Sequence, residues 1–197
     1  MLKRTLFFSI FFFLGALGIN QITVALAQDG SETNEEIDPQ LVEYCKTAEC
    51  RTDLNFVLRL EDGMGLEYAP ALAPPAVNDG FLIIYPGEEL FIEAEKSETG
   101  PINLKLVKEN TNPERTFIFK FFQSEGTDMM LSVTNPFDKM LKYQALMVLP
   151  EDGNLYETSS CAVMAGLMGF EMWPQPIFQL IIADMKFVEP TDSIVCK

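Results

Sequence analysis

The chain has 197 residues, 48% of them hydrophobic, with 29 acidic and 14 basic side chains, a net charge of −15 and no histidine. A surface of that sign repels phosphate backbones and anionic headgroups, which excludes nucleic acid as a natural partner and argues against a peripheral membrane role. Without histidine there is no Ser-His-Asp or Cys-His catalysis, no ordinary catalytic zinc site and no ordinary pH switch near neutrality.

The first 27 residues follow the pattern of a secretory signal peptide: Lys3 and Arg4, an apolar run over residues 6–19, then Ala25-Leu26-Ala27 as the cleavage site. The run is shorter than the ~20 residues a helix needs to cross the hydrocarbon core. The first cysteine is Cys45, so none follows the cut to take an N-terminal lipid. Cleavage before Gln28 removes Lys3 and Arg4 and no acidic residue, so the net charge moves from −15 to −17. The expected location is periplasmic or secreted, with no membrane attachment afterwards. Four cysteines in an exported chain are expected to pair, and of three connectivities the favoured one joins Cys45 to Cys50 and Cys161 to Cys196. The second bridge closes a loop of about 36 residues, worth roughly 4 kcal/mol on the chain-entropy model. The spacings lack the short cysteine pairs of a zinc site.

Residues 28–37 are polar and acidic and read as a flexible arm, leaving 38–197 as a single domain. Asp38-Pro39 offers a cap and a first helical position, with Leu41, Val42 and Cys45 near one face, so a short helix is expected there. Leu54, Phe56, Leu58 and Leu60 alternate with polar residues as a strand, ended by Asp62-Gly63. The segment 68–77 carries Pro70, Pro74 and Pro75 and reads as a stiff surface crossing. Strands follow over residues 81–85, around Leu90, Ile92 and Ala94, and around Ile102, Leu104 and Leu106. Phe117, Phe119 and Phe121 on one face, with Ile118 and Phe122 on the other, mark a central strand. Residues 127–153 read as a β-hairpin, with Asn135-Pro136-Phe137-Asp138-Lys139 as its turn. Its buried end is expected to need a cover. The last long strand runs over residues 177–188.

Eight or nine strands separated by turn signals, without helical periodicity between them, give an all-β fold, an antiparallel β-sandwich with a short N-terminal helix. Strand number, strand length and the Asn135–Lys139 link resemble those of immunoglobulin-like exported bacterial modules over roughly residues 52–190. The resemblance is to an architecture and transfers no site residues.

Three chemistries compete for the remaining signals. Glu157 and Glu171 beside Tyr156 and Trp173 could form a glycan-hydrolysing pair of carboxylates with sugar platforms. The acidic turns at Glu61-Asp62-Gly63 and Glu151-Asp152-Gly153-Asn154 could hold calcium, although neither matches the calcium loop and a D-G step is first a turn signal. In residues 161–176, Met164, Met168 and Met172 recur every four residues beside Phe170 and Trp173. Those thioethers could bind a soft metal, or the five side chains could form an adaptable partner-binding surface. The stretch is chiefly expected to fold over the open end of the sandwich as a lid, with Trp173 its largest plug. The resulting expectation is a non-enzymatic exported module without cofactor or metal. It would bind another protein or an envelope component through Met164, Met168, Phe170, Met172 and Trp173, together with the proline-rich crossing. Nothing in the sequence sets the oligomeric state.

Overall fold

The computed structural model describes residues 7–10, 22–25, 37–189 and 196. The expected signal peptide over 1–27 and acidic arm over 28–37 fall largely outside the described residues. There the description holds only β1 (Phe7–Ile10) and β2 (Ile22–Ala25), which pair antiparallel, and Ile37. Asp38 caps α1 (Pro39–Tyr44), accepting the Gln40 N–H at 2.8 Å, and Pro39 sits in the first turn, where no N–H is required. The Cys45–Cys50 bridge follows directly, with Cα atoms 5.5 Å apart.

Alternating apolar residues then build strands in pairs. A hairpin joins β3 (Phe56–Arg59) to β4 (Gly65–Tyr68) across the Asp62-Gly63 turn, where Gly63 takes a positive φ of 80°. The remaining strands are β5 (Val77–Asn78), β6 (Phe81–Ile84), β7 (Glu89–Lys96), β8 (Pro101–Val107), β9 (Thr116–Gln123), β10 (Met129–Thr134), β11 (Met140–Val148), β12 (Leu155–Thr158), β13 (Met168–Trp173) and β14 (Gln179–Val188). They form two five-stranded antiparallel sheets. The first has the order β13-β10-β9-β7-β8 and the second β12-β11-β14-β6-β5.

The sheets pack face to face as the expected antiparallel β-sandwich. Phe117, Phe119, Phe121, Met129 and Leu131 of the first sheet share one fully buried core with Leu82, Ile84, Ala145, Leu180 and Ile182 of the second. β9 lies at the centre of its sheet, with Phe117, Phe119 and Phe121 buried on its inward face and Ile118 and Phe122 flanking an exposed Lys120 on its outward face. Beyond the strands read from the sequence, the chain forms β1, β2, β4, β5, β12 and β13.

The hairpin expected over residues 127–153 does not form. β10 and β11 belong to different sheets, and the link between them carries the chain across the end of the sandwich. Phe137 is buried in this corner, edge-on to Phe117 at 5.2 Å and to Phe187 at 5.4 Å, which draws the link into the core. Asn135, only 1% exposed, holds the corner: its Nδ2 donates to the carbonyls of Lys139 (2.7 Å), Met164 (3.2 Å) and Val163 (3.3 Å), and its Oδ1 accepts the Phe137 N–H at 3.1 Å.

The proline-rich crossing is likewise drawn in. Ala73, Pro75 and Ala76 are buried, and Ala73 exchanges backbone hydrogen bonds with Arg51 at 2.8 and 2.9 Å. Arg51 is itself buried. Its Nε donates to the Pro74 carbonyl at 2.8 Å and its Nη1 to the Glu88 carboxylate at 2.8 Å, with the guanidinium 4.9 Å from the Tyr85 ring centre. Burial pushes the Tyr85 hydroxyl up to about 12. The crossing is thus a fastened part of the fold, with Ala71 exposed and Pro70 and Pro74 half-buried.

Replacing Asn135 by alanine leaves several buried backbone groups without a partner, each costing about 1–3 kcal/mol. Asn135→Ala is expected to lower the unfolding free energy by about 3 kcal/mol, read from the urea midpoint at unchanged slope. A loss below about 1 kcal/mol would show that the corner does not depend on this amide.

Candidate functional site

β13 alternates with a period of two. Gly169, Glu171 and Trp173 face inward, and Met168, Phe170 and Met172 face outward at 54%, 63% and 62% exposure. The inward residues fasten the strand. Trp173 is 6% exposed, packs edge-on against Phe121 at 6.4 Å and donates its Nε1–H to Thr158 Oγ1 at 2.8 Å, which joins β13 to β12 of the other sheet. At Gly169 a Cβ would lie 2.9 Å from Val163 Cγ2, so no larger side chain fits without moving Val163.

The direction of the backbone groups follows from the register. Asn135 N–H donates to the Leu167 carbonyl at 3.0 Å and Ser124 N–H to the Asp128 carbonyl at 2.8 Å, so the odd residues of β10 bond toward β13 and the even ones toward β9. Val133, Leu131 and Met129 therefore bond Gly169, Glu171 and Trp173. The N–H and C=O groups of Met168, Phe170 and Met172 point away from β10, to the open side of an edge strand.

The other three edges are protected and this one is much less so. β5 has two residues and β12 four. β8 opens on Pro101, bulges against β7 and carries Asn103 at a φ of 52°, and the Thr99 carbonyl before it accepts the Phe187 N–H at 2.8 Å. β13 has six residues in unbroken register, no proline and no outward charge. Its apolar side chains continue across the outer face of the first sheet, where Met172 lies opposite Met130 and Met130 opposite Phe122. Thr134, beside Met168, lies opposite Ile118.

The inward charge of β13 is satisfied within the fold. Glu171 accepts the Cys161 N–H and the Tyr143 hydroxyl. Ser160 donates to the Tyr143 carbonyl at 2.6 Å, and Lys142 donates to the Ser160 carbonyl. Burial holds the Glu171 carboxyl above its ordinary 4.5, against the lowering effect of the Cys161 N–H, Lys142 and Tyr143. Burial pushes the Tyr143 hydroxyl far up, and the neighbouring Glu171 adds to it. The Cys161–Cys196 bridge, with Cα atoms 4.3 Å apart, ties the chain end beside this cluster.

The expected lid is therefore corrected. Of the five candidate side chains only Trp173 plugs the core; Met168, Phe170 and Met172 line an edge strand, and Met164 is exposed in the turn before it. Met168 and Met172, four apart on one strand, lie about 13 Å apart along it, so the methionine spacing does not bring three sulfurs onto one soft ion. The carboxylate pair does not assemble either, because Glu171 faces inward while Glu157 is exposed on β12 opposite Leu146, and the platform residue Trp173 is buried. In the acidic turns the aspartates serve their own backbone: Asp62 accepts the Met64 N–H and Asp152 the Asn154 N–H, each at 2.9 Å, and Asp152 also accepts the Tyr156 hydroxyl at 2.6 Å. Among the described residues no group of three or more carboxylates or cysteines could hold a metal ion. Leu167, just before β13, is also exposed, and no motif in the sequence marks it.

No protein-family model matches the chain, and no curated protein or solved structure matches it.

Since the folded Glu171 titrates above its unfolded value, its contribution to stability is full below 4.5 and is lost as pH rises through the folded value. The melting temperature of the wild type minus that of Glu171→Gln is thus expected to fall between about pH 4 and about pH 7. A difference that is flat or rises over that interval would contradict the burial of this carboxyl.

Proposed function

We propose that the chain is an exported, non-enzymatic β-sandwich module that binds a protein by accepting an added strand on β13. One observation carries this: the residues whose backbone groups point to the open edge, Met168, Phe170 and Met172, are also the ones whose apolar side chains stand in solvent. Strand addition draws affinity from main-chain hydrogen bonds and specificity from alternate side chains, and β13 offers both. Contiguous exposed apolar surface on an acidic, otherwise well-packed protein marks an interaction site. Methionine and aromatic side chains suit such a site because they adapt to a partner and bury large areas. Two disulfides support an exported protein, and no helix among the described residues is long and apolar enough to cross a membrane.

Immobilised chain exposed to its own envelope fraction is expected to retain a partner. Phe170→Lys and Met172→Lys are expected to lose it by about tenfold or more, because a lysine on an edge opposes strand addition. Both positions lie in solvent, so thermal stability should stay close to wild type. Undiminished capture by both variants would contradict the proposal.

A further inference from the structure

Resting on strand addition at β13, we infer that the occupant is a second copy of this chain, paired antiparallel through β13 about a two-fold axis at Phe170. The segment Met168-Gly169-Phe170-Glu171-Met172 is nearly its own reverse. In that register Phe170 meets Phe170 of the other copy and Met168 meets Met172 of the other copy. These are the residues whose N–H and C=O groups point outward, so each pair exchanges two hydrogen bonds. The result is an isologous interface, the commonest kind in homo-oligomers, and it makes the two first sheets one continuous ten-stranded sheet.

The inward residues decide between a second copy and an arbitrary strand. An inward charge on an edge is a device against unwanted pairing, and Glu171 is such a charge. Between hydrogen-bonded pairs lie the closer, non-hydrogen-bonded ones, where a second carboxylate opposite Glu171 would be repelled and a small neutral residue is accommodated. In the two-fold register that residue is Gly169 of the other copy. Each copy thus meets its own steric and charge requirement, and Gly169 cannot be enlarged without moving Val163. On the outer face, Met168, Phe170 and Met172 with their copies form an uncharged band continuous with Met130 and Phe122.

Net charge supplies a signature that separates this occupant from a basic protein. Two copies of so acidic a chain repel, and salt that shortens the Debye length weakens the repulsion without touching the hydrogen bonds or the apolar band. Association of copies strengthens with salt, whereas capture of a basic partner weakens.

The test combines sedimentation of the exported chain over a range of concentrations, at low salt and at about 0.5 M salt, with crosslinking through single added cysteines. The expected result is a monomer–dimer equilibrium shifted to dimer by salt and abolished by Phe170→Lys. Phe170→Cys should form an intermolecular disulfide, since paired Cα atoms lie about 5.5 Å apart across the axis, within disulfide reach. Met168→Cys faces Met172 of the other copy and lies about 13 Å along the strand from its own equivalent, so it should crosslink about tenfold more slowly or worse. A monomer under all conditions, or equal crosslinking by both variants, would overturn the inference. A monomer that still captures a foreign protein through β13 would overturn the second copy alone. A monomer whose β13 captures nothing would overturn the strand-addition reading as well.

Discussion

The buried amide of Asn135 is the contact on which the arrangement of both sheets depends. Its side chain binds the corner carbonyl of Lys139, the corner N–H of Phe137 and the carbonyls of Val163 and Met164, and its own N–H binds the carbonyl of Leu167. One residue therefore ends β10, turns the chain into the opposite sheet and receives the segment that returns as β13. The penalty for leaving any of these buried groups unpaired keeps the crossing in one geometry. Phe137 adds apolar burial at the same point, between a phenylalanine of each sheet.

The open edge follows from how β13 is fastened. Strands at an edge are usually secured or hidden by what lies beside them. Here the security comes from within, through Trp173 on Phe121 and Thr158, Glu171 on Cys161 and Tyr143, and Gly169 against Val163. Burial of a tryptophan is worth several kcal/mol, judged from what its truncation typically costs. The outward half of the strand is then free of any structural duty, and its methionine and phenylalanine side chains stand largely in solvent. An apolar face retained in solvent on a firmly held strand is what a binding edge requires and what a merely structural edge avoids.

Much of the sandwich was legible in the sequence because burial on one face writes alternation into the chain. β7, β9 and β14 were readable from their apolar residues, and the capped helix from Asp38-Pro39. Alternation does not say which sheet a strand joins, so Asn135-Pro136 read as a hairpin turn when it is a corner. Both uses need a turn former, and only the burial of Asn135 and Phe137 separates them. β13 escaped notice for the opposite reason: its apolar residues face solvent, so its pattern runs against the rule that apolar means inside. The interval of four between Met164, Met168 and Met172 also masked the period of two that Met168, Phe170 and Met172 keep. Arg51 and Glu88, 37 residues apart, gave no local sign that they would be buried together.

The central claim is that β13 is a paired strand on one side and an open one on the other, and residue-resolved amide hydrogen exchange on the dilute chain tests it most directly. The N–H groups of Gly169, Glu171 and Trp173, bonded to β10, are expected to exchange slowly, and those of Met168, Phe170 and Met172 to exchange rapidly. Equal protection of all six would mean that something already covers the edge, and equal exposure would mean that β13 is not held to the sheet. Either result would contradict the open edge on which the proposed binding rests.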